Sequence, residues 1–354
     1  MAAALLAAVL FFPGKVHALS AQKAILLDAQ TGRILYRKDI DSQGLIASTT
    51  KIMTALVICE QCNVLDRVRI PKEAVGIEGS SMYLKEGEVL TVQELLYGLM
   101  LRSGNDAATA LAIYCGGTVE GFAQLMNDKA HRLGLENTHF QNPHGLDSPG
   151  HYSTARDMAV LAAYAMDNPI FAQTVSTKNV AVGDRYLHNH NKLLWQLDGA
   201  EGVKTGYTKA AGRILVSSVT RQGRRLIGVT MNAPNDWKDH TTLMEQGFQD
   251  FAVRQIVAKG QALAWVEVAG GNAGTVPLLA ASDFSYALTP EEIPEIVVKG
   301  PGFVYAPVVR GQSAGFAHVC IDGKSVGTIP LLYGETVEQE KEEKRSFLER
   351  LFGG

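Results

Sequence analysis

Residues 47–62 read Ala47-Ser48-Thr49-Thr50-Lys51-Ile52-Met53-Thr54-Ala55-Leu56-Val57-Ile58-Cys59-Glu60-Gln61-Cys62. Ile52, Met53, Leu56, Val57 and Ile58 are apolar nearly all round a helical wheel, so a helix over 48–62 is expected to be buried. Residues three apart share a helical face, which brings the Ser48 hydroxyl and the Lys51 amine together at its start. A serine hydroxyl is a poor nucleophile until a base takes its proton. Lys51 serves as that base only when neutral, a form favoured by burial and by a second positive charge. The helix dipole adds to this, opposing positive charge and favouring a developing oxyanion. On its own, Ser or Thr at a helix start is also the ordinary signature of an N-cap.

Outward from this helix the pattern is mixed. Ala24–Leu27 and Ile34–Tyr36 flank the turn-forming stretch Asp28–Gly32, which predicts a hairpin. Residues 92–134 carry three helical patterns broken at Ser103-Gly104-Asn105 and at Gly116-Gly117. Thr154-x-x-Asp157 opens a further helix in the manner of a capping box. Ile214–Val216 and Leu226–Val229 read as adjacent strands across Gln222-Gly223, and a helix from about Trp237 to Phe251 follows. Strands at both ends with helices between them predict a sheet whose first and last strands come together beside a helical cluster. Beyond about residue 255 only short strand-like runs remain, Trp265–Val268, Ile296–Val298 and His318–Ile321, with Asp322-Gly323 as a hairpin turn. The expected division is a leader over 1–20, a mixed domain over 21–253, a small all-β domain over 254–336 and a tail over 337–354.

The chain has 354 residues, enough for two domains, and 46% hydrophobic against 19% charged residues excludes a disordered chain. A net charge of −3 with no basic face gives nucleic acid no footprint. The apolar run 2–12, broken by Pro13-Gly14 and followed by Val16-His17-Ala18, is expected to be a cleaved export signal, although no positive charge precedes it. In the tail, Phe347, Leu348, Leu351 and Phe352 share one helical face, which suits a helix lying on a membrane surface or one docked on protein. Cys59-x-x-Cys62 lacks a second close pair, so Cys59, Cys62, Cys115 and Cys320 are read as packing thiols rather than a redox or metal site. His188-Asn189-His190 has no suitably spaced third ligand, so no metal is expected.

Two more constellations carry chemistry. Ser103-Gly104-Asn105 offers a hydroxyl for proton relay and an amide able to hold a substrate amide. Lys204-Thr205-Gly206, placed just before the strand at 214, offers positive charge, a hydroxyl for a terminal carboxylate and a glycine permitting close approach to the backbone. A peptide lying along that strand is able to pair as an added strand. Each tripeptide in isolation is an ordinary turn. In order, however, Ser-x-x-Lys, Ser-x-Asn and Lys-Thr-Gly form the motif set of penicillin-binding proteins and class A β-lactamases. The surroundings Ala47–Ala55, Leu101–Ala107, Asn142–Asp147, Lys204–Thr208 and Asp322–Gly327 resemble the low-molecular-mass penicillin-binding proteins, the serine D-Ala-D-Ala carboxypeptidases. The resemblance runs from about residue 20 to 335.

That resemblance implies a β-lactamase/transpeptidase-like α+β domain with an antiparallel sheet and a helical cluster, followed by a small β domain. It implies that Ser48 attacks the carbonyl between the two terminal D-alanines of a peptidoglycan stem pentapeptide and that Lys51 takes its proton. Ser103 and Lys204 then help pass a proton to the departing D-alanine, the N–H groups of Ser48 and Tyr207 form the oxyanion hole, and Thr205 holds the carboxylate. β-Lactams are expected to trap Ser48, no cofactor is implied, and the site is expected outside the cytoplasmic membrane. A basic residue assisting carboxylate binding is left open among Arg213, Lys238 and His240. The alternatives are a β-lactamase and a β-lactam sensor or wall-binding module that acylates without turnover. Ser-Gly-Asn in place of Ser-Asp-Asn, the Asn142–Asp147 segment in place of a glutamate loop, and the β domain favour the carboxypeptidase over the β-lactamase.

Overall fold

The computed structural model describes residues 18–340, in two compact units divided between Gln249 and Asp250. The apolar run 2–12 and the amphipathic stretch 347–352 lie outside the described residues. Leu19 is buried, and Asp239 accepts hydrogen bonds from Ser20 N and Oγ at 3.0 and 2.7 Å. Leu19 and Ser20 thus pack into the first unit.

The first unit opens with β1 (Lys23–Asp28) and β2 (Ile34–Lys38), paired antiparallel. The Asp28 carboxylate accepts from Gln30 N and Thr31 N, and Gly32 takes φ +69, which closes the expected turn. A 3-10 turn over Ala47–Thr50 leads into α1 (Lys51–Gln61), whose residues 51–58 are all buried. Ser48 therefore sits in the tight turn before the helix, not in its first turn. A small hairpin of β3 (Arg67–Arg69) and β4 (Val89–Thr91) precedes α2 (Val92–Leu101), which starts with a full Thr91/Glu94 capping box. Next come α3 (Asn105–Gly116), α4 (Val119–Arg132), α5 (Ala155–Met166) and α6 (Pro169–Ser176). Thr154 caps α5 by accepting from Asp157 N, but Asp157 turns its carboxylate to Asn137 N and Thr138 Oγ1, so only half of the expected box forms.

The hairpin of β5 (Asn179–Val182) and β6 (Arg185–His188) and the short α7 (Leu193–Gln196) lead to β7 (Ala200–Thr208), β8 (Gly212–Arg221), β9 (Arg224–Met231) and α8 (Asp236–Asp250). The main sheet is antiparallel in the order β2-β1-β9-β8-β7, so the first and last strands of the unit do pair. Alternation along each strand divides the core into two layers. Ile25, Leu27, Ile214 and Val216 join the helical cluster around α1, while Leu26, Leu215 and Val219 pack with Leu243 and Met244 of α8. Lys204-Thr205-Gly206 lies inside β7, an edge strand of its own, rather than in a connection ahead of the strand at 214.

The second unit is all β. β10 (Ala252–Val257) pairs with β13 (Phe284–Leu288). The remaining strands are β11 (Ala262–Ala269), β12 (Thr275–Ala280), β14 (Glu295–Lys299), β15 (Phe303–Tyr305), β16 (Ser313–Ile321) and β17 (Lys324–Tyr333). They form one sheet in the order β14-β16-β17-β12-β11-β15. Asp322 and Gly323 both take positive φ, as a two-residue turn between β16 and β17 requires. The unit extends past both ends expected for it. β10 starts it at 252, and Val337 is buried and bridged to Val308, so 337–340 belong to the sheet region rather than to a helical tail.

Candidate active site

The 3-10 turn carrying Ser48 is pinned between α1 and β7. Thr49 N and Oγ1 both bond the Ile46 carbonyl. A Cβ on Gly206 would meet Ile46 O and Thr49 N, each at 3.2 Å, so the glycine lets the strand close onto the Ser48 turn. The same glycine also lines the cavity beside Ser48, where the sequence predicts a close approach of substrate to the backbone. On the other side, a Cβ on Gly145 would lie 1.8 Å from Ala47 O. The Asn142–Asp147 segment is therefore pressed against the same turn, and Thr54 Oγ1 of α1 anchors it by donating to Pro143 O at 2.6 Å.

Lys51 is fully buried, and its Nζ lies 3.0 Å from Ser48 Oγ, 2.7 Å from Asn105 Oδ1 and 2.6 Å from His144 O. Asn105 Nδ2 donates to Glu78 O at 2.5 Å, which fixes Oδ1 toward the amine. A neutral amine has two N–H groups and one lone pair. In that form the two N–H groups donate to Asn105 Oδ1 and His144 O, and the lone pair would face the Ser48 hydroxyl. Burial pushes the Lys51 amine well below its ordinary pKa, the charge of Lys204 adds to this, and Asp106 opposes it. Lys204 is itself buried and donates to Thr205 O at 2.9 Å, with its pKa lowered to about 7 by burial. It is no surface lysine on a turn.

Ser48, Ser103, Thr205, Gly206 and Tyr207 line one cavity of about 310 Å³. Ser103 adopts φ +60 in the break between α2 and α3, which turns it out of the helical path and into the site. In the structure the Asn105 amide holds Lys51 through Oδ1 and the backbone at Glu78 through Nδ2. Of the three basic candidates only Arg213 lines the cavity, with one arm bound to Asp236 at 2.9 Å. His240 is buried under the sheet between Ser217 and Thr230 and pushed down to about 3 by burial, and Lys238 is exposed on α8 outside the cavity lining.

Ser80, His190, Asp236 and Trp237 also line the cavity, and the sequence reading assigned none of them there. His190, one of the two histidines of His188-Asn189-His190, is driven to about 4 by burial and then by Lys204. His188 instead stacks on Trp195, with ring centroids 4.7 Å apart. Among the described residues no group of three or more His, Cys, Asp or Glu is arranged to hold a metal. Nor did the reading give the His144 carbonyl a role, although the Asn142–Asp147 resemblance marked its segment. All four cysteines are thiols, and burial raises Cys59 to about 12.

The D-alanyl-D-alanine carboxypeptidase family matches residues 12–235, and the penicillin-binding protein 5 C-terminal domain matches residues 251–339. The D-alanyl-D-alanine carboxypeptidase DacF of Bacillus subtilis is 32% identical over 349 residues, covering 94% of this chain and 89% of the relative. DacC of Escherichia coli is 35% identical over 346 residues, covering 89% and 84%. Penicillin-binding protein 5 of Haemophilus influenzae superposes with a TM-score of 0.80 at 31% identity, covering 91% of this chain and 98% of the other. A lysine amine held against a serine hydroxyl beside a lysine-bearing edge strand, together with these matches, makes this chain a member of the D-alanyl-D-alanine carboxypeptidase family of low-molecular-mass penicillin-binding proteins.

Proposed function

We propose that the protein removes the terminal D-alanine from peptidoglycan stem pentapeptides through an acyl-enzyme on Ser48. The observation that carries this is the 3.0 Å contact between Ser48 Oγ and a buried Lys51 amine whose other acceptors are neutral. The amine takes the hydroxyl proton as Oγ attacks the carbonyl between the two D-alanines. Negative charge develops on the carbonyl oxygen near the start of α1, where the N–H groups of Ser48 and Tyr207 receive it. The proton passes by way of Ser103 and Lys204 to the leaving amine, and D-alanine departs. Thr205 and Arg213 take the terminal carboxylate, Arg213 through the arm not bound to Asp236. The peptide backbone lies along the free edge of β7. Water then cleaves the ester and regenerates Ser48.

β-Lactams present an amide and a carboxylate to the same groups and acylate Ser48. Membership of the carboxypeptidase family and the penicillin-binding protein 5 C-terminal domain favour this reading over a β-lactamase or a non-catalytic sensor. The apolar run 2–12 supports export, with the active site outside the cytoplasmic membrane. The apolar face at Phe347, Leu348, Leu351 and Phe352 supports attachment to the membrane surface. No helix among the described residues is long and apolar enough to cross a membrane.

Mass spectrometry of a defined pentapeptide is the test. Wild-type enzyme is expected to release one alanine and to be labelled by fluorescent penicillin, and Ser48→Ala to do neither. Stoichiometric covalent labelling of Ser48→Ala would overturn the assignment.

A further inference from the structure

Residues 78–84 contain no helix or strand, yet they are heavily bonded. The first turn of α3 holds them from one side. Asn105 N donates to Ser80 O at 2.7 Å, and Asn105 Nδ2 donates to Glu78 O. The next residue, Asp106, is 1% exposed, and its carboxylate accepts from Ser81 Oγ at 2.6 Å, Met82 N at 3.1 Å and Leu84 N at 3.1 Å. From another element Arg185 of β6 donates to Met82 O at 2.7 Å and Tyr83 O at 2.8 Å while pairing with Glu88. Tyr83 sits at φ +62 between these two grips. Donors from three residues of an irregular segment, Ser81, Met82 and Leu84, converge on one carboxylate, an arrangement that a neutral side chain of the same shape does not satisfy. Space is arranged for it too, since a Cβ on Gly104 would meet Asp106 Oδ1 at 2.7 Å.

The segment so held brings Ser80 to the cavity that contains Ser48. We propose that Asp106 is a positioning residue for turnover: it fixes Ser80–Leu84 as a rigid wall of the substrate cavity, while Asn105 beside it holds the Lys51 amine. One helix terminus therefore sets both the wall and the base. This rests on the carboxypeptidase reading above and deepens it. Around Lys51 stand Lys204 of β7, Asp106 of α3, the His144 carbonyl and the Ser48 turn, so the Asp106 charge is also one of the few that bear on the base.

The test compares wild type, Asp106→Asn and Ser81→Ala, each checked for folding by thermal melting, with pentapeptide kinetics across pH. In Asp106→Asn, KM is expected to rise about tenfold while kcat changes by less than about threefold. The acidic limb of kcat/KM moves to lower pH, because the charge that favours protonated Lys51 is gone. Ser81→Ala removes one donor and keeps the charge, so KM rises by about threefold with the limb unmoved. If Asp106→Asn does not fold, the Ser81→Ala value decides. An unchanged KM in folded Asp106→Asn, or in Ser81→Ala when the first does not fold, overturns the proposal and leaves the carboxypeptidase reading intact. Absence of alanine release by the wild type sinks that reading itself.

Discussion

The helix α1 has a buried lysine at each end, and the two are held in opposite ways. At its N-terminal end Lys51 faces only neutral partners, an amide oxygen, a main-chain carbonyl and a hydroxyl. At its C-terminal end Lys129 of α4 is 7% exposed and bonds Glu60 at 2.6 Å and Tyr164 Oη at 3.1 Å. Burial lowers both pKa values. For Lys129 the bonds to Glu60 and Tyr164 outweigh it and the net shift is upward, while for Lys51 burial and Lys204 leave the amine well below its ordinary range. Burial alone therefore does not lower a lysine's pKa. Burial without a bonded carboxylate does, and a second cation nearby strengthens the effect. The dipole of α1 acts in the same direction, since its N-terminal end disfavours the ammonium.

The largest effect expected from this contrast is in Lys51→Met, which keeps length and apolar volume and removes the proton acceptor. Acylation by penicillin, followed by stopped-flow labelling, should fall by about 10³-fold or more with little loss of folding. Retention of more than a tenth of the wild-type rate would show that another group takes the Ser48 proton.

Arg213→Ala should raise KM for a peptide with a free terminal carboxylate by about 10- to 100-fold. A peptide amidated at that carboxylate should lose the difference between wild type and variant. Equal KM effects on both peptides would remove Arg213 from carboxylate recognition.

The pH profile of Lys204→Met sharpens the comparison. On the proposed mechanism activity requires neutral Lys51, so kcat/KM rises with pH through its pKa. The Lys204 charge depresses that pKa, though less than burial does. Removing it lets Lys51 hold its proton to higher pH, so the acidic limb of the acylation rate moves to higher pH and the overall rate also drops. A limb that stays in place, or moves to lower pH, would mean that Lys204 does not act on Lys51 electrostatically.

The smallest effect belongs to Lys129→Met. Glu60, with its side chain 24% exposed, rehydrates when its partner is lost, so the cost is about 1 kcal/mol of stability. Acylation kinetics should not change. A shifted pH profile in this variant would break the separation between the two ends of α1.

Much of this was legible in the chain. The turn chemistry of Asp28–Gly32 and of Asp322-Gly323 fixed two hairpins, because the side-chain and positive-φ requirements there are local. The all-round apolar pattern of 52–58 placed α1 in the core, and the three-residue spacing brought Ser48 to Lys51 even though the turn is 3-10 rather than α. Local pattern failed at β7. Lys204-Thr205-Gly206 carries a turn-like composition, and only pairing with β8 makes it a strand.

The lowered pKa of Lys51 and the place of Arg213 in the cavity lining follow from the tertiary structure alone. Asn105 and His144 lie 54 and 93 residues from Lys51 in sequence, and desolvation is a property of everything packed around the amine. Lys238 and His240 share the basic character of Arg213, but the first faces solvent outside the cavity and the second is enclosed beneath the sheet. Residue type fixes which groups are able to carry charge or a proton. Burial and distance, which exist only once the chain has folded, fix which of them do.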